Sequence, residues 1–360
     1  MVGVRFYFTE GIRIFFSSIR RRFIKKHYEG NAEQICTEIV KDCFNGRYFQ
    51  TSTGNFSQFW ARDFGWCTAS LLKLKYTDGV HQTLRYALNR YKNYKKITTT
   101  ITPKGHPYNF PIAAVDSLPW LIHSIKISKF PYHSHKAFLN REIKKFFELF
   151  IDPHTGLVKP GLHVSSMKDF TVRKSSCYDN SMVGLLANDL KSLKLFNPFT
   201  KYDYAELIKR HFWNGEFFYD DLSHQNYVAG DANLFPFVFG IISDKGMMKL
   251  SLNAIRKAGL DQPFPLKYTN SRKGINFVPE EILMRNYEGD SIWMHMGPLF
   301  VKFVQQIDRD LAKKYKDKYT ELIEKHQNYL EVFFPNEKPW RSPFVYCDEG
   351  MLWAANYLTL

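Results

Sequence analysis

Residues 56–71 read FSQFWARDFGWCTASL. Trp60, Arg62 and Asp63 stand together, and Phe64, Trp66, Cys67, Ala69 and Leu71 follow at helical spacing, so a charged pair falls where an apolar helix begins. An Asp in a first turn can cap free backbone N–H groups and favour the helix dipole, with Arg62 paired to it. The same pair can also be presented to a ligand from the helix end. The pattern along the rest of the chain has to choose between the two.

Apolar periodicity near 3.6 predicts twelve helices, at 31–45, 62–75, 79–95, 114–129, 136–151, 178–192, 203–212, 230–242, 246–259, 289–306, 308–331 and 349–359. β-signals are confined to short pieces such as KKITTTIT and WNGEFFYDD. The polar residues are unevenly placed. Each even-numbered helix is preceded by a loop rich in Asp, Trp, Tyr, Asn and His: NFSQFWARD, HPYNFPIAAVDSLPW, KDFTVRKSSCYDNSM, NYVAGDAN, MRNYEGDSIW and EVFFPNEKPWRSPFVYCDEG. Most of the opposite connections are shorter and plainer. Helical hairpins that stack their apolar faces would gather the polar loops at one end. The expected fold is therefore all-α, an (α/α)6 toroid of six helical hairpins with a cleft at one face. Residues 1–30 form a basic amphipathic arm ahead of a single 31–360 domain, because no Gly/Ser linker or change of composition divides the chain further.

The bulk composition narrows the functions. The chain has 360 residues, 44% of them hydrophobic, enough for a large core. Its formal net charge is +15, but the Lys and Arg residues are scattered, as in KNYKKITTTITPK and LAKKYKDKY, and do not form the aromatic-interleaved stripe of a nucleic-acid binder. No nucleic-acid partner is expected. The five cysteines are widely spaced with no CxxC, which implies neither a disulfide framework nor a zinc site. His106, His123, His163 and His295 have no metal-ligand spacing, so no metal and no cofactor are expected. The opening MVGVRFYFTEGIRIFFSSIRRRFIKK lacks a signal peptide's order of segments, and no run of eighteen apolar residues exists. A cytoplasmic protein is the expectation. Residues 1–28 mix Phe6, Phe8, Ile12, Ile14, Phe15 and Phe16 with Arg5, Arg13, Arg20, Arg21 and Arg22, a composition that can lie on a membrane surface or pack on the protein's own body. The second outcome is expected, as a helix outside the ring whose removal leaves the cleft intact. Oligomeric state is not readable.

Clefts lined by Trp, Tyr and carboxylates suit sugars, whose rings offer apolar faces to aromatics and hydroxyls to charged groups. An isoprenoid synthase, the other all-α enzyme with paired acids, wants Asp-rich metal motifs on facing helices; the single DD here, Asp220–Asp221, lies in an aromatic turn. FWARDFGW resembles the Arg-Asp helix start of the (α/α)6 glycoside hydrolases, among them glucoamylases and alkaline/neutral invertases. VDSLPWLI is similar to the invertase segment VDSGLWW. SCYDNSM resembles the SGxDNSP motif of the mannosylglycerate-hydrolase group, without its Pro, and LEVFFPNEKP followed by MLWAANYL resembles their closing pattern. The resemblance spans roughly residues 31–360.

It implies a glycosidase in which Asp179 is the general acid. Glu331 is the expected base, with Glu337 and Glu349 as competitors. Glycoside hydrolysis with inversion needs one protonated and one ionised carboxyl about 6.5–9.5 Å apart. Asp179 and Glu331 lie far apart in sequence on loops predicted to face one cleft. An N-cap role for Asp179 competes with the catalytic one. Glu331, read as the end of the eleventh helix, would sit unfavourably against the helix dipole, which hints at function. Substrate contacts are expected from Trp60, Arg62, Asp63, Asp116, Trp120, Asn180, Glu288, Asp290, Trp293 and Glu349, with Asp63, Asp116, Asp179 and Asp290 opening to one face. Trp66 and Trp340 are further platforms. Two other functions remain open: a polysaccharide lyase or epimerase on the same toroid, using His163 or Tyr178 beside Arg173, and a carbohydrate-binding protein without chemistry.

Overall fold

The computed structural model describes residues 2–360, with side chains from Thr9 onward, so Met1 and the side chains of Arg5, Phe6 and Phe8 lie outside what is described. After the N-terminal helix α1 (Val2–Phe23), two sets of helices alternate along the chain. The first set is α2 (Ala32–Cys43), α4 (Thr77–Tyr94), α6 (Lys136–Phe150), α8 (Tyr204–Phe212), α10 (Lys245–Lys257) and α12 (Arg309–His326). The second is α3 (Ala61–Lys73), α5 (Ser117–Ile127), α7 (Cys177–Leu193), α9 (Phe235–Val238), α11 (Met296–Gln305) and α13 (Ala354–Tyr357).

The second set forms the inner ring: α3 packs on α5, α5 on α7, α7 on α9, α9 on α11, α11 on α13, and α13 returns to α3. Their sequences explain why they lie inside. In α11 Met296 to Phe300, Val301, Phe303 and Val304 are all buried, so no polar face is left for water. Outer helices bury one stripe, as α12 does with Ala312, Tyr315, Tyr319, Leu322 and Ile323. The first turns are satisfied locally, by the Asn31–Gln34 capping box of α2 and by Asp203, Asp244 and Asp308 at α8, α10 and α12. Between α3 and α5 the approach is close: a Cβ on Gly65 would lie 2.7 Å from Trp120.

Three inner helices are shorter than the periodicity implies, and each lost turn has become part of a polar loop. The 230–242 segment keeps only Phe235–Val238, because Asn233 is drawn away to bind the backbone of Phe218 and Gly240 ends the turn at φ +65°. The 289–306 segment starts at Met296, because Ile292–Trp293 pairs as a strand with Val332–Phe333. The last helix begins at Ala354, past Gly350 at φ +63°. The eleventh predicted helix stops at His326, with Gln327 left-handed at φ 48°. Glu331 is thus not at a helix end, and the dipole argument for it falls.

Helix α1 lies outside the ring, yet Ser18 accepts the backbone N–H of Tyr346 at 2.5 Å and Arg21 pairs with Glu349 at 2.5 Å. Ile14, Ser18 and Arg21 fall at i, i+4 and i+7, one face of a helix, and that face is fastened to the loop before α13.

Candidate functional site

The connections that precede the inner helices meet at one end of the ring and enclose a cavity of about 590 Å³. Two short strand pairs hold its walls. The short strands Ile292–Trp293 and Val332–Phe333 pair with Trp293 opposite Val332, and Met294 N–H donates to the Glu331 carbonyl at 3.1 Å. The short strands Thr171–Val172 and Asn276–Phe277 join the α6–α7 connection to the loop before α11.

Among the residues singled out from sequence, Trp60, Arg62, Asp63, Trp66, Glu288, Trp293 and Glu331 line this cavity. Asp63 is in the first turn of α3, and its Oδ1 accepts the Trp353 indole N–H at 3.0 Å. Burial pushes its carboxyl up to about 6 despite Arg62 beside it. Arg62 stays charged against the cost of burial because Asp116, Asp63 and Asp169 surround it. The indole of Trp66 stacks on His295 at 4.5 Å between centroids, and burial with Arg62 nearby keeps that imidazole neutral.

Glu331 is buried, with Oε1 accepting the Tyr287 hydroxyl at 2.7 Å and Oε2 accepting the Asp348 N–H at 2.9 Å. Burial, then the charge of Asp348, raises its carboxyl to about 8. Glu288 is raised to about 8 as well, by burial and by Asp169. It accepts the backbone N–H groups of Asp169 and Phe170 and the hydroxyl of Thr171. That makes it the clamp that shapes the α6–α7 connection as well as part of the wall.

Several expected site residues stand elsewhere. Asp179 does not line the cavity: it is the third residue of α7, with Oδ2 accepting the Ser176 hydroxyl at 2.7 Å, Arg173 nearby and Oδ1 buried without a partner. The cap of α7 is Ser176, which accepts the Asp179 N–H at 3.0 Å. Asp116 lies behind the wall, where it accepts the Tyr178 hydroxyl at 3.1 Å and faces Arg62 at 3.6 Å. Trp120 packs edge-on to Trp66 and donates to Tyr178, a core position. Asn180 ties Val158, Ser175 and Ser176 together. Asp290 and Trp340 are not in the wall. Glu349 is taken by Arg21 and the Lys26 N–H, and Glu337 by Lys318. The four aspartates therefore do not open to one face; only Asp63 does. Local motif matching could not tell a carboxylate in the wall from one a layer behind it.

Among the wall residues that escaped the sequence reading are Asp169, Tyr268, Tyr287 and Trp353. Asp169 and Tyr287 sit inside the polar loops that precede the inner helices, so loop membership was the available signal. Asp169 is half-buried, accepts the Ser165 hydroxyl, and has its carboxyl raised by burial. The lyase trio is not assembled: His163 lines the cavity, whereas Tyr178 is buried on Asp116 and Arg173 pairs with Asp220 and Asp231. The five cysteines are free and buried. Among the described residues no helix is long and apolar enough to cross a membrane.

No protein-family model matches the chain, and no curated protein does. Solved structures are similar throughout its length. A rhamnosidase from Klebsiella oxytoca with rhamnose bound is 10% identical, with a TM-score of 0.61 over 93% of this chain, which spans 65% of the rhamnosidase's length. A glycosidase in complex with glucose is 10% identical, with a TM-score of 0.62 over 97% of this chain and 96% of that one. A mannosylglycerate hydrolase from Thermus thermophilus, in complex with Tris and D-glycerate, is 12% identical, with a TM-score of 0.57 over 91% of this chain and all of that one. At these identities the likeness is one of fold, and the fold of this chain is the (α/α)6 toroid of those glycoside hydrolases.

Proposed function

We propose that the protein is an inverting glycoside hydrolase acting on a small glycoside or oligosaccharide. Glu331 is its general base and a carboxyl of the α6–α7 connection its general acid. The observation that carries this reading is the composition of one wall. Glu331, Asp169, the Arg62–Asp63 pair and the indoles of Trp60, Trp66, Trp293 and Trp353 share a single cavity of a volume that suits a sugar with a further group attached. The rhamnose and glucose of the similar structures are pyranoses, and stacked indoles beside an Arg-Asp pair are the chemistry that holds such a ring.

In this scheme Glu331 draws a proton from a water attacking the anomeric carbon, while the acid protonates the departing oxygen. Both Glu331 oxygens accept hydrogen bonds, which offset only part of the rise that burial and Asp348 impose, so the carboxylate is a strong base that becomes competent as pH approaches about 8. Asp169 is the acid candidate on the wall, its proton affinity raised by burial. Asp179 is the second reading, favoured by its own raised proton affinity and by an Oδ1 without a partner.

The test is turnover of a panel of disaccharides and methyl glycosides, whose alkoxide leaving groups need protonation, by four variants. Glu331→Gln and Asp169→Asn are each expected to lose about 10²–10⁴-fold in kcat while sugar binding persists, whereas Asp63→Ala loses binding. Full activity in Asp169→Asn with loss in Asp179→Asn would move the acid to Asp179. Full activity in Glu331→Gln would remove the base and the mechanism with it.

A further inference from the structure

The cavity changes character from its floor to its mouth. The floor is made of buried Asp63, Trp66, His295, Glu331 and Trp353. Among its half-exposed residues Phe15 of α1, Phe110, Ile112, Met284 and Val345 are apolar, with buried Ile14 beside them, and they outnumber the polar Arg62, Asp169, His163 and Glu280 that reach the same opening. A polar sugar chain has little use for such a vestibule. A group attached to the sugar through the scissile oxygen would occupy it, and most of the surface available there is hydrocarbon.

The rim outside continues the trend. Ile12, Phe16 and Phe23 on α1, Ile282 and Leu283 on the turn that contributes Met284, and Phe344 beside Val345 are all exposed, Phe16 at 63%, Phe23 at 83% and Ile282 at 77%. Large apolar side chains gathered on one rim mark a contact surface. Next to it lies a second hollow, lined by Arg22, Lys25, Lys338 and Arg341 around Phe23. An amphipathic helix with apolar and basic residues together is the form that settles at an anionic bilayer surface.

We propose that the vestibule is an aglycone subsite for a hydrocarbon chain, and that the glycoside is a glycolipid reached from an anionic bilayer on which the α1 rim rests. The proposal rests on the hydrolase reading for the sugar end alone, since the vestibule's chemistry is independent of whether the bond is cut. Gly11 supplies a clean probe. It lines the cavity in mid-helix, and a Cβ placed on it meets nothing within 4 Å, so a large side chain there fills the vestibule without disturbing the ring.

The experiment is binding of methyl, hexyl and octyl glucosides of both anomers, below their critical micelle concentrations, followed by tryptophan fluorescence. Affinity is expected to rise about fourfold for each methylene that becomes buried. In Gly11→Phe the rise is expected to vanish. Equal affinity along the series, or an undiminished rise in Gly11→Phe, overturns the subsite. The bilayer as source is tested by co-sedimentation with phosphatidylglycerol and phosphatidylcholine vesicles. Binding to the anionic vesicles alone, lost in Phe16→Glu/Phe23→Glu, is the expected result. No binding to either vesicle overturns the bilayer and leaves a free apolar glycoside as the source. Chain-length-dependent binding without any hydrolysis would defeat the hydrolase reading and leave this subsite standing.

Discussion

Glu331 shows how one buried carboxyl couples chemistry to stability. Its carboxyl is raised on folding from 4.5 to about 8. The folded chain therefore holds this proton more tightly than the unfolded one, and stability falls as pH rises between those two values, the cost being complete above about 8. Glu331→Gln cannot ionise. It is expected to match the wild type in Tm at pH 5 and to exceed it by several degrees at pH 9, by differential scanning calorimetry; a variant less stable than the wild type at pH 9 would show that Tyr287 and Asp348 hold an ionised carboxylate at no cost. The same residue marks the limit of reading by position. Glu331 lines the cavity although the helix-end argument for it fails, since α12 stops at His326. Asp179, carried by a closer motif match, does not reach the wall. A motif records which loop matters, whereas the packing of Ser165 to Asp169 across that loop decides which carboxylate reaches the cavity, and that packing depends on Glu288, 119 residues away from Asp169.

At the scale of elements, periodicity was a good guide to the first five outer helices and to α3, α5 and α7, and a poor one to the ends of α9, α11, α12 and α13. Outer helices are held by one apolar stripe and local caps, both visible within a dozen residues. Helix α11 starts late because a distant strand pairs there, Trp293 with Val332, and no local signal announces that. Two variants test how elements are joined. Gly65→Ala places a methyl 2.7 Å from Trp120 and is expected to cost about 1–3 kcal/mol in urea unfolding; a neutral result would mean that α3 and α5 can separate freely. Arg21→Ala breaks the tie of α1 to buried Glu349 and is expected to cost about 3 kcal/mol, with faster proteolysis of α1 than of the ring. An unchanged denaturation midpoint would show that α1 is held by its apolar face alone.

For the whole molecule, the six polar loops that precede the inner helices were the legible feature. They are evenly distributed because each hairpin contributes one loop to the same end of the ring, and the cavity lies where they meet. The aromatic lining was legible in kind but not residue by residue: Trp60, Trp66 and Trp293 reach the wall, Trp120 and Trp340 do not, and Trp353 does so unannounced. The most direct measurement of the hydrolase mechanism is proton NMR of the first sugar released, under conditions where mutarotation is slower than turnover. Hydrolysis by Glu331 through a water predicts that the anomeric configuration of the first product is the opposite of the substrate's. A first product with retained configuration, or an unsaturated sugar absorbing in the near ultraviolet, would contradict it.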